Sequence, residues 1–509
     1  MKPANARKIA DALALLIALA AFGLTAAASR SPFERLPHLE DEVAYLFQAR
    51  VFAGGQVVID SPEPHRAYWQ PFVVDYAGRR FGKYPPGWPL LLAVGVLLGQ
   101  PWVSNAFLAA LSVALIYRLG RAIFDAETGL VAAVLTASSP MFLLLSGSLM
   151  GHTAALFWGV LFVFALWKVE RTGRAVWAAA AGAALGMLFN TRPLTAVGMA
   201  LPFALGLAGM VLWRGIKTWW RRGWRPLLAF GAAAALTATM TPLFNAAATG
   251  SPTTNLYTLV WPYDQVGFGE CCGRSGHTPE KGIRNTKADL ALWSSDLFGW
   301  QMDADLHRSL EENAGWWLGR GVSWVLLPVG LIARRRSRWT WALLGTFAGL
   351  VGAHVFYWVG AQTYSARYYY EALPGLALIS AAGFTGLARR VPRGPAYAVL
   401  AVMIAASLLG YTPARLGVLW RFNDIGQDDI AALRVLRDGR PVLILVTGEQ
   451  PRSWREWGTY MALTSPYLDS DVVAARDRGW QGEREAILAR LPGRQVLYLP
   501  PDNHLTWRE

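Results

Sequence analysis

Apolar runs close to the thickness of a bilayer core dominate this chain. They lie near residues 9–29, 101–123, 129–146, 152–169, 175–190, 192–213, 226–248, 315–333, 339–359, 372–388 and 396–412. A helix needs about 20 mostly apolar residues to cross the hydrocarbon region. Inside lipid every backbone polar group must be satisfied within the segment, which a helix does by itself. About eleven membrane-spanning helices are therefore expected. A twelfth run, Gly87–Gly99, is too short to cross and reads as an interfacial or re-entrant helix. The first run has the basic start of a secretory signal, and Ala26-Ala27-Ala28 resembles a cleavage site. Its length favours an uncleaved first span.

Composition and charge agree. Apolar residues make up 54% of the 509 and charged residues only 16%, with a mean hydropathy of +0.27. A soluble chain of this size carries more charge. The net charge of +14 would suggest nucleic acid on a soluble protein, but here the cations gather in short segments between apolar runs. Lys2, Arg7 and Lys8 open the series. Arg118 and Arg121 follow, then Lys168, Arg171 and Arg174, then the basic stretch from Arg214 to Arg225. Arg334, Arg335, Arg336 and Arg338 come next, and Arg389, Arg390 and Arg393 complete it. Every second turn is basic, which places the N-terminus in the cytoplasm and the C-terminus outside. Counting Gly87–Gly99 as a span would reverse the bias. The expectation is a multi-pass inner- or plasma-membrane protein with no nucleic-acid partner.

Three long segments then lie outside: residues 30–86, 250–314 and the tail from 413. The division expected is a membrane domain, 1–412, and an extracytoplasmic α/β domain, 413–509. In the tail, Val442–Val446 and Val496–Leu499 read as buried strands and Glu483–Leu491 as an amphipathic helix.

Several residues in the outer segments carry chemical potential. Asp41 and Glu42 begin an apolar pattern at Val43, Leu46, Phe47 and Val51. Acidic residues there suit a helix N-terminus through capping and the dipole; a carboxylate beside the membrane also suits a general base. Lys83, in Phe81-Gly-Lys-Tyr-Pro-Pro-Gly-Trp-Pro-Leu90, either holds a phosphate or anchors the short helix at the headgroups. Arg192, Arg320 and Arg367 stand at short outer turns that are otherwise nearly free of cations. Each either snorkels or forks onto a phosphate, and Arg367 lies in the polar aromatic run Tyr364–Tyr370 that includes Tyr368. His152 opens an outward-facing span, where a lone histidine is more often structural than a ligand. The segment from Trp261 to Thr286, with His277, mixes glycine, aromatic and polar groups in a way that suits a sugar or a structured lid. Cys271 and Cys272 are adjacent. Neighbouring cysteines seldom pair because the linking peptide is strained, so neither a disulfide framework nor a zinc site is expected. Walker, dinucleotide and HExxH motifs do not occur, which argues against a nucleotide cofactor.

The spacing of these motifs resembles the GT-C superfamily of polyprenol-phosphate-dependent glycosyltransferases. Within it, the chain is similar to the protein O-mannosyltransferases, the lipid A aminoarabinose transferase and the RgtA/B/C/D-like bacterial enzymes. The resemblance rests on a first span followed by Asp41-Glu42-x-x-Tyr45, and on Lys83-Tyr-Pro-Pro-Gly-Trp-Pro-Leu90 leading into a juxtamembrane helix. It covers roughly residues 9–390. It implies a GT-C-like helical fold and an inverting transfer of a sugar from a polyprenyl-phosphate carrier to an extracytoplasmic glycan, lipid or protein. Asp41 would be the catalytic base and Glu42 its assistant. Lys83, Arg192 and Arg367 would neutralise the leaving phosphate. Tyr45, His152, His277 and Tyr368 are the expected substrate contacts, and membrane lipids the surroundings. A divalent cation is left open. Several members of the superfamily place a second carboxylate after the third span, where this chain has Ser148–His152 with no Asp or Glu.

Other classes make different demands. A transporter or flippase would show inverted repeats and polar residues at mid-membrane, where His354 and Arg320 are the main suspects. An O-antigen ligase or polymerase would share the lipid-linked donor but move whole glycans. A membrane scaffold would tolerate the loss of Asp41.

Overall fold

The computed structural model describes residues 3–214, 216–298, 323–361, 363–448, 452–501 and 504–507. Helices occupy the positions of all eleven expected spans. Among the described residues, seven are long and apolar enough to cross a membrane: Asn5–Arg30, Val103–Ile123, His152–Thr172, Pro193–Trp213, Trp224–Thr249, Arg367–Ala388 and Arg393–Gly417. An eighth is a pair, Ala126–Ala137 and Pro140–Gly147, bent by 58°. Ser139-Pro140 explains the break, since a proline ends the helix before it and starts the next one. Ala175–Thr191 and Arg338–His354 have 17 residues each, at the lower limit for a span. The last is described from Ser323 to Ala333; the expected start at 315, with Arg320, lies outside the described residues.

The first helix, α1 (Pro3–Arg30), shows the solvent it was built for. Its buried face is small: Ala10, Ala14, Ala18 and Ala21. Leu15, Leu16 and Leu19 are about 60% exposed. In water this pattern would be inside out. In lipid, small side chains let helices approach and large apolar ones face the tails. The same logic fixes a closer crossing: a Cβ on Gly349 would lie 2.1 Å from the Gly198 carbonyl oxygen. Only glycine lets those two helices pack there.

Between the first and second spans lies the outer segment that carries the motifs. Helix α2 (Glu40–Ala53) follows α1. Strands β1 (Ile59–Asp60), β2 (Val73–Tyr76) and β3 (Arg79–Gly82) form an antiparallel sheet in the order β1-β3-β2. Lys83 and Tyr84 leave the end of β3, and Pro85-Pro86 turns the chain into α3 (Gly87–Leu97). At 11 residues α3 is too short to cross. Its N-terminus is pinned, with the Trp88 indole N–H donating to the Leu149 carbonyl at 2.9 Å.

The tail forms a small α/β unit. Strands β4 (Val442–Val446), β5 (Val472–Arg476) and β6 (Gln495–Leu499) are parallel in the order β5-β4-β6, with a helix at Glu483–Arg490. Central β4 is buried on both faces, as its unbroken apolar run requires. The expected strands and helix are present. β5 was not anticipated, because Val-Val-Ala-Ala-Arg is short and alanine-rich. This unit packs on α2: Leu36 and Val43 join its apolar core, and Arg50 donates to the carbonyls of Ala462 at 2.8 Å and Thr464 at 3.0 Å.

Candidate functional site

A cavity of about 510 Å³ opens where the start of α2, the Lys83-Tyr84 step after β3, the segment 191–195, the segment 255–266 and the segment 354–368 meet. Asp41, Tyr45, Lys83, Arg192, Arg367 and Tyr368 all line it. Six of the nine candidate residues are thus gathered from segments more than 300 positions apart in the chain. Glu42, His152 and His277 do not line it.

The two adjacent acids part company because successive helical residues point about 100° apart. Asp41 faces the cavity and accepts the Tyr84 hydroxyl. Glu42 turns inward and is fully buried. Its carboxylate accepts from the backbone N–H groups of His38 (2.8 Å), Leu39 (3.1 Å) and Leu149 (2.6 Å), and from the Tyr364 hydroxyl (3.0 Å). Burial holds its pKa above the ordinary glutamate value, although these donors and His38 pull it back. Glu42 is therefore both the cap of α2 and the joint between α2, the turn before the helix His152–Thr172 and the aromatic run.

Lys83 is buried, 3.2 Å from the Asp264 carboxylate. Its ammonium stands over the rings of Phe72 (3.6 Å), Trp261 (4.8 Å), Tyr84 and Tyr257 (both 5.2 Å). Burial pushes its pKa below the usual lysine value, and Asp264 and then Asp41 oppose that shift. Asp264 also accepts from the Tyr357 hydroxyl (2.9 Å) and the Trp358 indole N–H (3.2 Å). Tyr84 sits between Asp41 and this cage; burial, then the Asp41 charge, hold its hydroxyl well above the usual tyrosine range.

Arg192 owes its place to Pro193. A residue before proline is driven out of the helical region, and Arg192 is extended (φ −150°, ψ 91°) between Ala175–Thr191 and the helix that begins at Pro193. Its guanidinium meets the His152 ring at 3.0 Å and the Glu371 carboxylate at 3.6 Å, and it lies 5.6 Å from the centre of the Tyr368 ring. Arg367, at the start of the short helix Arg367–Ala372, lies 5.4 Å from the same ring centre. His354 stacks on Tyr368, with ring centres 4.7 Å apart. His152 stands behind the cavity wall, with its other ring nitrogen 3.5 Å from Glu371. The His277 ring is engaged by the Val355 carbonyl (2.9 Å) and stacks on Phe268.

Two residues escaped the sequence reading, and a third was read only in another role. Asp264 lies inside the Trp261–Thr286 segment, but nothing local marks it as the partner of Lys83. Glu371 directly follows the aromatic run and looks like the polar edge of an apolar span. It supplies a second buried carboxylate, from a different segment than the turn after the third span. His354 stood out only as an intramembrane histidine, and it lines the cavity. Among the described residues, no group of three or more His, Cys, Asp or Glu side chains is arranged to hold a metal ion.

The arrangement joins a half-buried carboxylate to two guanidinium groups in one apolar-walled, aromatic-rich cleft. A carboxylate can take a proton from a hydroxyl, and guanidinium forks can hold a phosphate.

The profile of the dolichyl-phosphate-mannose-protein mannosyltransferase family matches residues 84–245. No curated protein matches the chain. Among solved structures, ArnT from Cupriavidus metallidurans bound to undecaprenyl phosphate is similar with a TM-score of 0.58 at 13% identity, over 96% of this chain and 93% of that one. Its apo state gives a TM-score of 0.57 at 13% identity, over 96% and 92%. The oligosaccharyltransferase of Archaeoglobus fulgidus in complex with Zn and sulfate gives 0.50 at 14% identity, over 88% of this chain and 61% of that one. The chain thus spans less than two thirds of the archaeal enzyme. At these identities the likeness is one of fold.

Proposed function

We propose, from the premise that this chain has the GT-C membrane glycosyltransferase fold, that it moves a sugar from a polyprenyl-phosphate carrier to an acceptor hydroxyl outside the cytoplasm. The observation that carries the reading is the cleft itself, where Asp41 shares one cavity with Arg192 and Arg367. The family profile and the ArnT complex with undecaprenyl phosphate support the carrier class.

In this reading the acceptor hydroxyl gives its proton to Asp41 as its oxygen attacks the anomeric carbon. The bond from that carbon to the phosphate oxygen breaks, and the polyprenyl phosphate leaves with the bonding pair. A direct displacement of this kind inverts the anomeric centre. Negative charge grows on the phosphate in the transition state, where Arg192 and Arg367 hold it. Lys83 contributes less of its charge, because Asp264 already balances it. Tyr45, Tyr368 and His354 wall the sugar, and Glu42 acts through Asp41 by fixing the first turn of α2. The positive-inside distribution supports a cytoplasmic N-terminus with the cleft and the α/β unit outside.

A deletion strain tests the function. Its membranes are expected to accumulate one polyprenyl-phosphate sugar while one envelope glycan, lipid or protein loses that sugar. An unchanged lipid-linked pool together with unchanged envelope sugars would contradict the reading.

A further inference from the structure

The segment behind the cleft holds a feature that sugar transfer does not use. Cys271 and Cys272 are the two cysteines of the whole chain. Adjacency argued against pairing, yet their sulfurs lie 2.8 Å apart, closer than thiols that merely touch. Cys271 is exposed and Cys272 buried. The Cys272 sulfur backs onto Gly267, where a Cβ would stand 3.5 Å from it. The turn is tied to the cleft wall: the Gly273 N–H donates to the Tyr263 carbonyl at 2.8 Å, and Asp264 follows directly. Gly267, Gly269 and Gly273 all have positive φ, so this backbone has freedom that a covalent ring would remove.

We propose that Cys271 and Cys272 form a reversible vicinal disulfide that fixes the turn carrying Asp264, the partner of Lys83. The proposal rests on the outer placement of this segment in the functional reading, since disulfides persist in oxidising compartments. The exposed Cys271 thiolate attacks a disulfide-bearing oxidant and expels one of its sulfurs as thiolate. Cys272, losing its proton, then attacks the Cys271 sulfur and expels the second. Two electrons pass to the oxidant, and the two protons lost by the cysteines go to the two released sulfurs or to water. The hydrogen bond to Cys271, with burial, pushes the Cys272 thiol up to about 11, which leaves the exposed Cys271 as the first attacker. An eight-membered ring reduces more readily than a long-range bridge, so the link is labile.

Intact cells expressing the full chain would be left untreated, treated with a membrane-impermeant phosphine, or treated with permeant dithiothreitol. After quenching, the protein is denatured and tagged with a mass-shifting maleimide. We expect no tags without reduction and two after the impermeant phosphine, with a monomer on non-reducing gels throughout. Two tags without reduction would overturn the disulfide, as would a reducible dimer. Two tags with dithiothreitol alone would keep the disulfide and overturn the outer placement instead. The Cys272→Ser chain controls the tag count and should show one tag under every treatment.

Discussion

Asp41 and Glu42 illustrate how one helical step separates two jobs. Glu42 accepts four hydrogen bonds in a fully buried position. Glu42→Gln puts an amide NH2 against at least one of those donors and leaves it unsatisfied. A loss of about 1–3 kcal/mol is expected, read as a lower melting temperature in detergent. The pH dependence carries a sign. Because burial raises the folded pKa of Glu42 above 4.5, its contribution is fully present below pH 4.5 and is lost as pH rises through the folded value. The melting-temperature gap between wild type and Glu42→Gln should change across that window; a pH-independent gap would count against the buried carboxylate. Arg367 tests the other end of the chemistry. Arg367→Ala should lower kcat/KM for the lipid donor by about 10- to 100-fold, from the loss of a charged hydrogen-bonding group. Arg367→Lys should recover part of it, because the charge returns without the fork. Equal kinetics in all three proteins would remove Arg367 from the phosphate site. The capping and the catalytic readings of the acidic pair were both visible in the sequence. Which residue took which role was not, because that depends on what packs against α2.

At the level of elements, the Lys83–Asp264 pair joins the end of β3 to the second long outer segment. Both members are almost completely buried. Removing one partner strands the other charge, so Lys83→Met should destabilise the protein by about 3–5 kcal/mol. Adding Asp264→Asn should restore much of that loss, and a double-mutant cycle on melting temperature would measure the coupling. Additive losses would show that the two groups do not interact. The legible part here was Lys83, set off by the prolines that follow it. The partner was hidden because it is 181 positions away and lies in a loop without periodicity. The same holds for Arg192: Pro193 foretold a helix break, but only packing revealed His152 and Glu371 beside the guanidinium.

On the scale of the whole molecule, the membrane region was the most legible part, since lipid imposes length and polarity on every span. The contact of the tail with α2 was not legible, because soluble composition says nothing about where a unit docks. Arg50 crosses that contact with two hydrogen bonds to carbonyls, and the Trp454 indole donates to Glu40, next to Asp41. Arg50→Met should loosen the tail, seen as faster limited proteolysis near residue 413, and lower kcat with little change in donor binding. Unchanged proteolysis and turnover would show that the tail does not brace α2. In the proposed reaction the acceptor proton goes to Asp41, whose side chain is half-buried and bonded to Tyr84 alone among the described partners. The most direct measurement is single-turnover sugar transfer by purified Asp41→Asn in vesicles containing a saturating polyprenyl-phosphate sugar donor. With donor binding and melting temperature at wild-type values, the rate should fall by about 10²–10⁴-fold, the usual contribution of a general base. Transfer at the wild-type rate would contradict the assignment.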